Sequence, residues 1–179
     1  RQRAQHGVSL STMMRVNAVF PHHLQHVCDE LDCRLVHVST DCVFDGRRSD
    51  GGSYAETDLC TETNENYAVS KRIGEVLLEG SDAVIVRTSI IGEEERNGLS
   101  LLQWILSRRG QSLPGFDNHF WNGVTCLQLA QTLVDAALAG ALWSGIRHIY
   151  SPTSVSKCRL IELVKDAYQL RCTVVPTAH

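Results

Sequence analysis

The sequence has no excess of positive charge: 17 Lys and Arg stand against 20 Asp and Glu, for a net charge of −3 and a pI near 6.2. Proteins that bind nucleic acid or lie on anionic lipid carry a basic stripe, so neither partner is expected, and any bound phosphate must be met by local charge. No apolar run approaches the roughly 20 residues a membrane-spanning helix needs. No charged-then-apolar leader opens the chain, and the expected setting is the cytoplasm. There is no Cys-x-x-Cys pair. The seven cysteines, Cys28, Cys33, Cys42, Cys60, Cys126, Cys158 and Cys172, are scattered and odd in number, which favours reduced thiols over a disulfide framework or a zinc site. Repeats and low-complexity segments are absent. So is any Gly-x-Gly-x-x-Gly or Gly-x-x-Gly-x-x-Gly turn, through which backbone amides and a helix N-terminus meet a dinucleotide pyrophosphate.

What is present is an ordinary globular composition, 43% hydrophobic and 21% charged over 179 residues, enough for one core with an appended lobe. The organising stretch is residues 34–71. Arg34-Leu35-Val36-His37-Val38 reads as a strand buried on both faces, as in a parallel sheet, and it breaks into Ser39-Thr40-Asp41. Open α/β sheets place ligands at such strand ends. Tyr67 and Lys71 are four residues apart, so on a helix beginning near Asn66 they share a face. A phenol titrates near 10 and is a poor acid near neutrality. A neighbouring ammonium favours the phenolate by roughly 1 to 3 units, so the pair can exchange a proton with a substrate oxygen. The Thr40 hydroxyl can hold that same oxygen. The same spacing also describes a plain surface contact between a tyrosine and a lysine; the order of strand, Ser-Thr-Asp, turn-rich loop and Tyr-Lys helix favours the site.

Around this stretch, residues 1–12 read as a loop. From Met13 to Leu31 a helix is expected, with Val16, Phe20, Leu24, Val27, Cys28 and Leu31 on its apolar side and Pro21 kinking or restarting it. His22, His23, His26 and Glu30 lie along it, but a metal would need a convergent third ligand, and exposed helix histidines are the expectation. Residues 45–53 form a Gly- and Asp-rich surface loop, with Arg47 and Arg48 either solvated or reaching a diphosphate. The Tyr67 helix should bury Ile73, Val76 and Leu77 and stop near Gly80. Residues 83–92 read as a second buried parallel strand beside the first. Thr88 and Ser89, at its end, either line a pocket or satisfy loop backbone. A helix over Leu101, Leu102, Ile105 and Leu106 carries Arg108 and Arg109 in its last turn before Gly110. Phe120, Trp121 and Asn122 suit either a ligand wall or a lobe core. Thr125-x-x-Gln128 is a capping box opening a helix that stops at Gly140. A strand over 145–150 and a helix capped by Ser156 follow.

Together with Val43-Phe44-Asp45-Gly46, Tyr54-x-Glu56-x-Asp58 and Gly74-Glu75, these motifs resemble the extended short-chain dehydrogenase/reductases, within them the dTDP-4-dehydrorhamnose reductase group of sugar-nucleotide reductases, from about Asn17 to the C-terminus. The fold so implied is α/β: the second half of a Rossmann-type doubly wound parallel sheet with a small C-terminal substrate-binding lobe. Residues 1–92 would be the C-terminal half of the NAD(P)-binding domain with the catalytic residues. Residues 93–179 would supply lobe segments, with 125–150 packing back on the sheet. The resemblance places the glycine-rich turn before Arg1, in an N-terminal half of roughly 60 to 80 residues at about 30 per βαβ unit, and reads residues 173–179 as a strand cut short of its lobe. It implies reduction of a nucleotide-linked 4-keto-6-deoxysugar by NADP(H) or NAD(H) in surface polysaccharide synthesis. Thr40, Tyr67 and Lys71 would be catalytic. Ser39, Tyr67, Lys71, Thr88 and Ser89 would meet the cofactor, and Asp41, Asn17 and Trp121 the substrate. No metal is implied, and a homodimer of the full-length protein is expected. An epimerase or dehydratase uses the same trio, but a dehydratase expects Glu after the acidic residue, where Cys42 stands. A non-catalytic scaffold is the alternative from another class.

Overall fold

A computed structural model describes residues 7–48, 52–95 and 98–178. Residues 1–6 of the expected N-terminal loop, residues 49–51 of the Gly- and Asp-rich loop, Arg96 with Asn97, and His179 lie outside the described residues. The chain divides into two compact units, one of residues 7–89 and 130–149, the other of 90–129 and 150–178.

In the first unit, helix α1 (Leu10–Met14) starts inside the stretch expected to be a loop, because the Ser9 hydroxyl accepts the Thr12 N–H at 3.2 Å and caps it. It runs through a π-helical turn (Arg15–Val19) into α2 (Phe20–Glu30) without a break, and Pro21, which has no N–H, leaves the turn before it one backbone donor short. The buried residues of α2 are Pro21, Gln25 and Cys28; of the apolar side read off the sequence, Cys28 is buried and Leu24 packs half-buried against the core, and the rest of the inward face is Pro21 and Gln25. Phe20, Val27 and Leu31 therefore face outward at 60%, 46% and 69% exposure, as does Val16 at 59%.

The sheet of this unit is parallel, in the order β1-β2-β7, from β1 (Val36–Val38), β2 (Val84–Arg87) and β7 (Gly145–His148). Val36 pairs with Val84, and Val84 with Gly145. Its core packs Cys28, Leu35, Leu78, Ala83 and Ile85, flanked by Leu24 and Ile146. The Arg34 guanidinium fastens the entry ends of the strands, donating to the carbonyls of Asp82, Leu142 and Trp143 at 2.8 to 3.2 Å. Strand β2 is fully buried, whereas β1 is not buried on both faces as expected: Val38 is exposed, since β2 is the one neighbour of β1 among the described residues.

Helix α3 (Asn66–Leu77) also turns a different face inward. It buries Ala68, Ser70, Gly74 and Glu75, while Val76 and Leu77, expected inside, are more than 40% exposed. The second strand expected over 83–92 is two: β2 ends at Arg87, and β3 (Ile90–Ile91) pairs with β6 (Val124–Thr125) in a separate sheet.

In the second unit, α4 (Leu101–Leu106) is capped by Ser100 and ends before Arg108 and Arg109, which therefore lie beyond its last turn. Arg108 instead lies over the Trp104 ring. Strand β4 (Ser112–Phe116) pairs in parallel with β9 (Thr173–Thr177), and β5 (Phe120–Trp121) antiparallel with β8 (Val155–Ser156). Helix α6 (Lys157–Ala167), capped by the Ser156 hydroxyl, crosses from β8 to β9. Gly115 lets it lie flat on β4, since a Cβ there would sit 2.7 Å from the Cys158 Cα. Leu102, Ile105, Leu113, Ile161, Val164 and Leu170 form this core. Helix α5 (Cys126–Leu138) follows β6, with Thr125 accepting the Gln128 N–H at 3.0 Å as the capping box predicts.

Candidate active site

The parallel register brings the ends of β1 and β2 side by side. Ser39 N–H donates to the Val86 carbonyl at 2.7 Å and Asp41 N–H to the Thr88 carbonyl at 3.2 Å. Thr40 is thereby buried at the sheet's C-terminal edge, where it caps a short 3-10 turn (Asp41–Val43) by accepting the Cys42 N–H at 3.2 Å. Its own hydroxyl proton points at Asp41 Oδ1 over a long 3.4 Å, so little holds it there.

Lys71 reaches the same edge. Its Nζ donates to the Val38 carbonyl at 3.0 Å, one bond of the three an ammonium can make. Burial lowers its pKa, with the Glu75 carboxylate pulling the other way. Tyr67 is half-buried one helical turn earlier on α3. His37, the inward residue of β1, is pushed down to about 4 by burial and then by the Lys71 charge, and is neutral near pH 7. Its Nε2 is buried without a partner among the described residues.

The position of α3 is fixed by Gly74 and Glu75, which the sequence marked only as part of a resemblance, and by Arg87 and Ser70, which it did not mark. Glu75, fully buried, takes a bidentate pair from Arg87 of β2, Nε to Oε1 at 3.0 Å and Nη2 to Oε2 at 2.8 Å. It also accepts the Ser39 hydroxyl at 2.6 Å. The Ser39 side chain is therefore committed to this carboxylate, not turned outward. On the other side, Gly74 rests on the π-helical turn at Asn17. Asn17 Nδ2 donates to Ser70 Oγ at 3.0 Å, and Ser70 in turn to the Tyr67 carbonyl at 2.8 Å. The sequence singled out Asn17, and the chain of bonds from it ends at the tyrosine's own backbone. The signals that could have found the rest were a lone Glu one turn after Lys71 and a lone Arg ending an apolar strand, since charges in such places are paired when buried.

The loop between Thr40 and Tyr67 is tied by the Tyr-x-Glu-x-Asp motif. Tyr54 Oη donates to Asp45 Oδ1 at 2.8 Å and its ring stacks on Phe44. Glu56 Oε1 accepts the His148 N–H at 3.0 Å, and Asp58 pairs with Arg48. Arg48 thus has an acidic partner already, and Arg47 N–H donates to Asp45 Oδ1. Thr88 is buried, and its hydroxyl donates over a long 3.5 Å to the Ser89 carbonyl. Trp121 belongs to the other unit, on β5, where Lys157 Nζ sits 5.6 Å from its ring centre. His22 and His26 touch each other at 3.3 Å. Among the described residues no group of three His, Cys, Asp or Glu is placed to hold a metal, and no helix is long and apolar enough to cross a membrane.

A parallel sheet ending in a buried threonine, faced by a helix that presents Tyr67 and Lys71, defines an α/β protein of the Rossmann type. The chain belongs to the family of the RmlD substrate binding domain, whose model matches residues 9–179. It is 34% identical over 133 residues to the dTDP-4-dehydrorhamnose reductase of Mycobacterium tuberculosis, covering 70% of this chain and 42% of that one. It is 31% identical over 148 residues to a probable low-salt glycan biosynthesis reductase of Haloferax volcanii, covering 79% and 48%. Among solved structures, a hypothetical dTDP-4-dehydrorhamnose reductase from Sulfolobus tokodaii superposes with a TM-score of 0.75 at 24% identity over 93% of this chain and 57% of that one. The dTDP-4-dehydrorhamnose reductase of Bacillus anthracis in complex with NADP gives 0.75 at 20% identity, over 90% and 57%. The chain spans about half the length of the relatives it matches.

Proposed function

We propose that this chain carries the proton-transfer half of an NAD(P)H-dependent reductase of a nucleotide-linked 4-keto-6-deoxysugar. The observation that supports it most is the Lys71 ammonium, held at the end of β1 by the Val38 carbonyl on the helix that carries Tyr67 one turn away. An ammonium with two donors left over among the described residues suits a ribose diol, so the residues present fit the nicotinamide-ribose end of the cofactor. Lys71 would hold that end with Tyr67, and Thr88 and Ser89 would lie along it. Ser39 would contribute its backbone, its hydroxyl being bound to Glu75. When bound, the nicotinamide supplies a hydride.

The chain's own residues supply the rest. Thr40 swings its hydroxyl from the long contact with Asp41 to the substrate carbonyl oxygen and polarises it. Tyr67 gives its phenolic proton to that oxygen as the alcohol forms, and the Lys71 charge stabilises the phenolate left behind. Asp41 and Asn17 border the substrate, Trp121 offers a ring to the sugar or base, and the protein acts as a homodimer in cytoplasmic synthesis of surface polysaccharide. Oxidation of NADPH by the natural gene product, followed by absorbance with a dTDP-4-keto-6-deoxyhexose, tests this reading. Substrate-dependent oxidation supports it. Nicotinamide binding without turnover of any 4-keto sugar would leave the scaffold alternative in its place.

A further inference from the structure

The C-terminal end of α2 lies before β1, at the strand end opposite Thr40. Asp32 adopts a left-handed conformation there, with φ of 51°. Cys33 N–H donates to the Cys28 carbonyl at 3.0 Å, and Asp32 N–H to that of Asp29 at 3.4 Å. These are the paired bonds of a Schellman helix end, which sets the side chain of the third residue from the last turn against that of the second residue beyond the cap. Such positions usually hold two aliphatic side chains. Here both are cysteines, one buried and one exposed, set on the same side of the turn by the backbone bonds of the helix end. They line an open surface pocket of about 230 Å³ with Asp29, Asp32, Arg34 and Asp82. The pair has no third ligand arranged for a metal among the described residues, and the backbone bonds hold the two residues at the paired positions of the helix end.

We infer that Cys28 and Cys33 are a redox-active dithiol that closes to an intrachain disulfide when oxidised by hydrogen peroxide. The exposed Cys33, as thiolate, attacks one peroxide oxygen; a sulfur–oxygen bond forms, the oxygen–oxygen bond breaks, and the hydroxide released takes a proton to become water. The Cys28 sulfur then attacks the Cys33 sulfenic acid. The sulfur–sulfur bond forms, hydroxide leaves, and it takes the Cys28 thiol proton as the second water. Two thiols and one peroxide thus become one disulfide and two waters, two electrons passing from sulfur to oxygen, and a small thiol reverses the change. Cys28 is the resolving group because burial, the neighbouring Cys33 and the Asp29 and Asp82 carboxylates all raise its pKa, leaving it a poor first attacker.

Trypsin isolates the pair. Cleavage after Arg15 and Arg34 releases residues 16–34, with these two cysteines and no others. The natural gene product is treated with hydrogen peroxide, unfolded, alkylated, digested and weighed. The expected peptide is unalkylated and two hydrogens lighter than its reduced form, and dithiothreitol restores both alkylation sites. In Cys28→Ser, dimedone should trap a sulfenic acid on Cys33; in Cys33→Ser, Cys28 should remain fully alkylated. A wild-type peptide alkylated at both cysteines after peroxide has oxidised other thiols, or a Cys33 carried on to sulfinic acid beside an alkylated Cys28, would overturn the inference.

Discussion

Gly74 lies so close to Asn17 that a Cβ built on it would stand 2.1 Å from the Asn17 carbonyl oxygen. Glycine is what allows the Tyr67 helix to seat on the π-helical turn. Gly74→Ala must push the two apart, at about 1 to 3 kcal/mol, and should break the bond from Asn17 to Ser70. Urea denaturation should show the lower midpoint, and turnover should fall more than the folded fraction does. An unchanged midpoint would mean the two helices separate freely.

Tyr67→Phe in the natural gene product should lower kcat by about 100-fold or more, the usual worth of a positioned acid, with cofactor affinity nearly unchanged. Steady-state rates and fluorescence titration with NADPH separate the two effects. Unchanged turnover would remove Tyr67 from the proton step.

Lys71→Met should harm both quantities, weakening cofactor binding severalfold and lowering kcat at least about tenfold. The hydrogen bond to the Val38 carbonyl also disappears, so the thermal midpoint is to be recorded alongside. An effect on stability alone would make the lysine a strut, not a part of the site.

Glu75→Gln leaves the buried Arg87 guanidinium without its countercharge. Breaking such a pair from one side costs about 3 to 5 kcal/mol, and chemical denaturation should read that loss. Replacing Glu75 and Arg87 together by Gln and Met should recover part of it, because no unpaired charge is then left inside.

His37 should set part of the acid limit of stability. Its pKa falls from 6.5 in the unfolded chain to about 4 in the fold, so the unfolded state binds the proton first as pH drops. The contribution is complete above 6.5, declines toward 4 and is gone below, a change of about 3 kcal/mol at most. His37→Phe should flatten the stability profile between pH 6.5 and 4, while an identical profile would assign that limb to other groups.

The strands and the Tyr-Lys helix were legible because their signals are local: β-branched runs at 36–38 and 84–87, and a four-residue spacing at Tyr67 and Lys71. The faces of the helices were less so. On α3 the apolar pattern pointed to Val76 and Leu77, yet the buried side is Ser70, Gly74 and Glu75, since a bidentate partner on β2 and a close backbone approach at Asn17 outweigh two aliphatic side chains. On α2 Cys28 and Leu24 turn inward as the apolar pattern expects, but Phe20, Val27 and Leu31 do not, since the buried face also takes Pro21 and Gln25, an offset no period can reveal without knowing what lies opposite. Thr40 was visible at its strand end, but the inward turn of the Ser39 hydroxyl depends on a carboxylate 36 positions away in the chain.

Glu75 accepts at once from Ser39, just past the end of β1, and from Arg87 on β2. A helix fastened in this way has one rotational setting against the sheet. Sliding or turning it by a single residue would break three charge-assisted bonds together, so intermediate positions of Tyr67 are costly ones. The geometry of the site should accordingly be inherited in steps: sequences that drift at the surface of α3 keep it whole, and those that lose the carboxylate while keeping Arg87 loosen the helix and the site together.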